Sequence, residues 1–303
     1  MANFVTGFRL AGDREFLFAG AVIASLPYYT DQAWNQQCMQ ALGGESHGQH
    51  KPPPNTTPRM VFLRGKDWQI IAIEGTTTID QWLANIGSAY QVSDGDMPGL
   101  VHAGFLSIFA GISGLIRTEV ENGGNRKVIL IGHSLGGALS HMAAHMIRKR
   151  YPGRLSYVLT YGEPRSGDVV NSQRSKFKKI RVVTSSDVVP TVPPPSVTLG
   201  GVGFPWVGMA EFKWQHSGDQ QTVYIPGEIR GSYSGVEIPP SLVPDGEDIF
   251  NWNMLAFGSH ALTNYCHRLA YSVRARRSYP FGKLRQVANE INAKEGLSIR
   301  FVQ

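Results

Sequence analysis

Apolar residues along the chain fall into two rhythms. Met60–Arg64, Gln69–Glu74, Lys127–Ile131 (KVILI), Leu155–Tyr161 (LSYVLTY) and Ile180–Thr184 (IRVVT) are short runs rich in branched and aromatic residues. Such runs, bounded by turn residues, predict buried strands. The first two are joined by Gly65-Lys66-Asp67 and read as a hairpin or paired strands. The second rhythm is helical: Leu139, Met142, Ala143, Met146 and Ile147 mark one face of a helix that ends in Arg148-Lys149-Arg150 before Pro152.

Residues 13–42 have helix-forming composition broken at Pro27, and Gly43–Arg59 reads as a polar, proline-rich loop. Pro190–Asp248 carries much of the proline and glycine, with one clear strand at Gln221–Ile225, and predicts loops and hairpins rather than a second domain. No internal repeat is visible. Strands that alternate with helices predict an α/β fold with a mostly parallel sheet, in a single domain over residues 1–303.

Composition narrows the function. With 42% hydrophobic and 17% charged residues, 303 residues suffice for a sizeable core. The net charge of +6 and pI near 9.3 favour anionic surfaces. The basic runs Arg174–Arg181 and Arg274–Arg285 lack any nucleic-acid-binding signature, so no nucleic-acid partner is expected. No run reaches the ~20 apolar residues of a membrane span. Phe16–Leu26 is the nearest thing to a leader, but Asp13 and Glu15 precede it and no small-x-small site follows. It reads as a packed helix, leaving a cytoplasmic address or secretion without cleavage. Two cysteines, Cys38 and Cys266, exclude a disulfide framework.

The chemistry sits where strand meets helix. Gly132-His133-Ser134-Leu135-Gly136 has the G-x-S-x-G spacing that places a serine on a sharp strand-to-helix turn, near helix N–H groups able to stabilise an oxyanion. A serine so placed needs a histidine base and an acid behind it, in the order Ser, acid, His. His141 and His145 lie on the helix leaving the turn and do not fold back easily; His216 reads as a satisfied polar residue. His260 follows the loop Phe257-Gly258-Ser259 at the start of a helix-like run and is preferred over His267. Asp187, just past a predicted strand, is the acid candidate, against Asp168, Asp219, Asp245 and Asp248, which read as turn or capping residues.

Taken in order, several segments resemble the fungal-type (class 3) lipase family of the α/β-hydrolases. They are Glu74-Gly75-Thr76-Thr77-Thr78-Ile79-Asp80-Gln81-Trp82, Val101-His102-Ala103-Gly104-Phe105, GHSLGGALS at Gly132–Ser140, Thr160–Asp168 (TYGEPRSGD), Asp187-Val188-Val189-Pro190, His216-Ser217-Gly218 and His260-Ala261-Leu262-Thr263-Asn264-Tyr265. The resemblance implies a Ser134, Asp187, His260 triad and an oxyanion hole from the Thr76 and Leu135 N–H groups, with the Thr76 hydroxyl as an extra donor. His102 and Asp168 would be structural. A lid would span about 82–98, with Trp82, Ile86 and Tyr90 at helical spacing, for which core packing is the competing explanation.

The implied activity is hydrolysis of lipid esters (tri-, di- or monoacylglycerol) at a lipid–water interface, through an acyl-enzyme and without cofactor or metal. Phospholipids and feruloyl-type esters are alternatives within that chemistry; a non-catalytic lipid-binding protein on a hydrolase fold is the alternative outside it. The chain departs from the family in Glu74, where an arginine is common, and in a long segment between Asp187 and His260. In that segment Phe204–Trp214 suits an acyl-chain wall or a buried hairpin. Some relatives carry a bridge where Cys38 and Cys266 stand. Oligomeric state is left open.

Overall fold

The computed structural model describes residues 14–28, 32–41, 44–53, 57–76, 91–93, 95–184, 187–199, 210–223 and 229–232, and positions 260, 262, 265, 266 and 269. Its centre is an eight-stranded sheet in the order β1-β2-β3-β6-β7-β8-β11-β12. The strands are β1 (Ser46–His50), β2 (Met60–Arg64), β3 (Trp68–Ile73), β6 (Lys127–His133), β7 (Leu155–Tyr161), β8 (Lys179–Thr184), β11 (Asp219–Val223) and β12 (Ile229–Ser232). β3, β6, β7, β8 and β11 run parallel, while β1, β2 and β12 pair antiparallel at the two edges. The expected α/β architecture with a mostly parallel core is therefore present.

Alternation along each strand divides the core in two. Ile70, Ala72, Ile129, Ile131, Leu159 and Tyr161 face one layer, with Leu17, Val22 and Leu26 from the N-terminal helix α1 (Arg14–Ser25) and the turn that follows it. Ile71, Ile73, Val128, Leu130 and Val158 face the other. That layer holds α3 (Ala103–Asn122) and α4 (Leu135–Arg150); α2 (Gln32–Ala41) precedes β1.

Helix α3 has no counterpart among the elements that the hydrophobic pattern above predicts. Phe105, Phe109, Ile112, Ile116 and Val120 form its buried stripe, worth roughly 10 kcal/mol of apolar burial before entropic costs. His102 caps it, its Nδ1 accepting from the Gly104 and Phe105 N–H groups. By length and hydropathy α3 would pass for a membrane span, but its apolar stripe packs into the core and its last turns carry Arg117, Glu119 and Glu121.

Two expectations need correction. Gly43–Arg59 is not all loop, because Ser46–His50 forms the outermost strand. SHGQH has no apolar run to announce a strand; it is held by backbone pairing with β2, which the sequence pattern does not encode. The strand read at Gln221–Ile225 begins earlier, at Asp219, and continues the parallel sheet beside β8. In the preceding segment, β9 (Ser196–Leu199) pairs with β10 (Ala210–Lys213) as a separate hairpin followed by buried Trp214. Within 82–98, Gln91–Ser93 forms the short strand β4 against β5 (Leu100–His102); Trp82, Ile86 and Tyr90 lie outside the described residues. Cys38 and Cys266 are not joined by a disulfide, and burial pushes Cys266 up to about 12.

Candidate active site

Ser134 stands between the end of β6 and the first residue of α4, at φ 56° and ψ −128°. This is the one non-glycine residue at positive φ among those described, a backbone strain that holds its side chain clear of the chain. The turn is closed by the Ser134 N–H donating to the Tyr161 carbonyl at 2.9 Å and the Gly137 N–H donating to the Ser134 carbonyl at 2.9 Å. Strand and helix touch so closely that a Cβ on Gly132 would fall on the Gly136 carbonyl. The helical ladder begins with the Gly137 and Ala138 N–H groups, so the Leu135 and Gly136 N–H groups stand ahead of it, where the helix dipole is positive.

Asp187 follows β8, and His260 comes from the far end of the chain. Both side chains are fully buried. The His260 Nδ1–H donates to the Asp187 carboxylate, 2.9 Å from Oδ2 and 3.0 Å from Oδ1. The same carboxylate accepts from the Tyr265 hydroxyl and, at 2.9 Å, from the Val189 N–H. Burial alone would raise the Asp187 pKa. The charge of His260 and the three donors outweigh it and hold the carboxyl below its ordinary range. An ionised Asp187 fixes the proton of His260 on Nδ1 and leaves Nε2 as a base.

His260 Nε2, Ser134 Oγ and Thr76 Oγ1 are buried and have no hydrogen-bond partner among the described residues. Each buried polar atom without a partner calls for an explanation, and here a bound substrate would supply the partners. The imidazole–carboxylate contact is thus closed and the serine–imidazole contact open, as is frequent before substrate binds.

The other candidates fall away from this point. His141 Nε2 bonds Asn171 Oδ1 at 2.7 Å, His145 bonds Ser175, and His216 bonds the Pro190 carbonyl. Asp168 caps α5 (Val169–Arg174) by accepting from the Asn171 N–H, and Asp219 opens β11 at the surface. His267, Asp245 and Asp248 lie outside the described residues.

Glu74, the departure from the family pattern, is 4% exposed and accepts from the backbone N–H and Nε of Arg59, with Arg59 Nη2 as a third donor. The carboxylate sits at the start of the Gly75-Thr76 loop and the arginine comes from the preceding segment. Tyr265, the Val189 N–H, Tyr28 and His133 also belong to the site, and the sequence reading gave them no role. Tyr265 was at least visible, five residues beyond His260. Among the described residues no group of three His, Cys, Asp or Glu side chains could hold a metal ion.

Residues 70–197 match the sequence profile described as Lipase (class 3), a span that includes Ser134 and Asp187. Secreted mono- and diacylglycerol lipase 1 of Fusarium solani is 29% identical over 134 residues, 41% of this chain and 39% of its own. Phospholipase A(1) DAD1 of Arabidopsis thaliana is 31% identical over 152 residues, 41% of this chain and 33% of its own. The lipase of Rhizomucor miehei is 28% identical over 166 residues, 51% and 44% of the two chains. The chain therefore spans less than half the length of these curated relatives.

In three dimensions the lipase from Rhizopus microsporus var. chinensis superimposes with a TM-score of 0.60 at 21% identity, covering 82% of this chain and 86% of that one. Rhizomucor miehei triacylglyceride lipase gives 0.60 at 21% identity over 78% and 91%. These likenesses show the α/β-hydrolase fold. The matched segment, residues 70–197, is similar to class 3 lipases and contains the elbow at Ser134.

Proposed function

We propose that the chain hydrolyses carboxylic esters of lipids, with Ser134 as nucleophile, His260 as general base and Asp187 as its acid partner. The observation that carries this reading is the strained, buried serine at a helix N-terminus, together with a buried imidazole whose Nδ1 side is already committed to an ionised carboxylate and whose Nε2 is left without a partner among the described residues. Ser134 Oγ attacks the ester carbonyl carbon as its proton passes to His260 Nε2. The negative charge on the former carbonyl oxygen is met by the Thr76 and Leu135 N–H groups, with the Thr76 hydroxyl beside them. The imidazolium then protonates the departing alkoxide. Water, deprotonated by the same nitrogen, cleaves the acyl-enzyme and restores the serine.

A lipid ester is the substrate class because the relatives carry that chemistry in their names: a mono- and diacylglycerol lipase, a phospholipase A(1) and a lipase. The segment around 82–98 is assigned as a lid over the site, and the whole chain as a single domain. No cofactor is invoked.

The test is hydrolysis of p-nitrophenyl esters of two to sixteen carbons, and of emulsified triacylglycerol and phosphatidylcholine, by the native chain and Ser134→Ala. Turnover that rises at an emulsion interface and disappears in Ser134→Ala is expected. Turnover confined to short soluble esters would replace the lipase reading with a plain esterase. Ester turnover that survives in Ser134→Ala, or none on any ester, would overturn the assignment and favour a lipid-binding role.

A further inference from the structure

Two side chains outside the proposed triad join its parts. Tyr28 ends the turn after α1, and its hydroxyl lies 2.8 Å from the Gly75 backbone nitrogen and 2.8 Å from His133 Nδ1. His133 Nε2 lies 2.8 Å from the His260 carbonyl oxygen. The His133 and His260 rings stack with centroids 4.7 Å apart and an interplanar angle of 27°.

Counting protons leaves one arrangement for a neutral His133. A backbone N–H only donates, so Tyr28 accepts from Gly75 and turns its single proton toward His133 Nδ1. A carbonyl only accepts, so His133 carries its proton on Nε2 and donates it to His260. Burial, with the charge of His260 adding to it, lowers His133 to about 3 and keeps it in this neutral form.

We infer that Tyr28 and His133 are positioning residues that tie the oxyanion loop at Gly75-Thr76 to the backbone of the base-bearing residue His260. The inference rests on the acyl-transfer reading above. Gly75 adjoins Thr76, a proposed oxyanion donor; His133 adjoins Ser134; and the chain of three hydrogen bonds ends on His260 itself. Oxyanion donor, nucleophile and base therefore share one rigid relay, although they come from segments far apart in the chain. Alignment of these three parts matters most in the transition state, so loosening the relay should lower kcat more than it weakens binding.

The variant is Tyr28→Phe, which keeps the ring and removes the hydroxyl. The expected result is a kcat 10- to 100-fold lower per active site titrated with a phosphonate ester, with KM changed by less than about threefold. His133→Gln, whose amide reaches His260, should retain most of the activity that His133→Leu loses. A second readout needs no turnover: imidazole 15N–1H correlation spectra should show His133 protonated on Nε2 in the native chain and its Nδ1 resonance displaced in Tyr28→Phe. A His133 protonated on Nδ1, or a Tyr28→Phe with native kcat per titrated site, would overturn the inference. A native chain inert on all esters would overturn the acyl-transfer reading instead, and the spectra would still decide the relay.

Discussion

Gly162 offers a measurable test of how tightly the imidazole–carboxylate pair is set. It follows β7 at φ +58°, and a Cβ there would stand 2.8 Å from Asp187 Oδ2, 2.8 Å from His260 Cε1 and 2.9 Å from His260 Nδ1. Gly162→Ala thus has two effects. The left-handed backbone costs an alanine about 1–2 kcal/mol, and the methyl must push the pair away by roughly half an ångström to reach ordinary van der Waals separation.

Gly124 separates the two effects. It has the same φ, +58°, with nothing within 4 Å of its would-be Cβ. Gly124→Ala therefore bears the backbone cost alone. Both variants should lose a few degrees of thermal midpoint, at about 2–4 °C per kcal/mol for a large domain. Only Gly162→Ala should lose activity, by 10- to 100-fold in kcat, since misplacements approaching an ångström cost catalysis about that much. The assay is p-nitrophenyl ester turnover per titrated active site, alongside scanning calorimetry. Equal kcat in the two alanine variants would refute the claim that the glycine is there to make room for the pair.

Two further outcomes follow from buried charge. Removing Arg59 as Arg59→Met strands the buried Glu74 carboxylate and should cost about 3–5 kcal/mol of stability; adding Glu74→Gln should recover most of it in urea unfolding, and no recovery would disprove the pairing argument. His102, His133, His141 and His145 are buried, and burial lowers their pKa values: His102 to about 4, His133 and His145 to about 3, and His141 well below its ordinary value. Between those values and about pH 6.5 the unfolded chain binds more protons than the native one, so stability should fall as pH drops below about 6.5. Each histidine contributes a slope of about 1.4 kcal/mol per pH unit. Urea midpoints that stay flat from pH 6.5 to pH 4 would show that these rings titrate normally in the fold.

Much of the architecture was legible because it is written in short-range patterns. KVILI followed by GHSLG and an apolar helical face encodes strand, turn and helix within two dozen residues, and the structure places Ser134 on that turn. The stripe of α3 was equally local, with apolar residues at helical spacing from Phe105 to Val120, and was open to the same reasoning. His260 and Asp187 were selected by position relative to predicted elements, and the fold brings them into contact across 73 residues of chain.

The sequence by itself determined where the central strands and the helix after the elbow form, which serine sits on the strained turn, and which histidine and aspartate stand at element ends. Periodicity and turn chemistry act over a few residues, so they survive being read without the fold. Only the tertiary structure decided that SHGQH becomes an edge strand, that Arg59 answers Glu74, that Tyr265 braces Asp187, and that Tyr28 and His133 connect Gly75 to His260. Those contacts join segments as many as 127 residues apart, and their partners are chosen by how the helices and the sheet pack together.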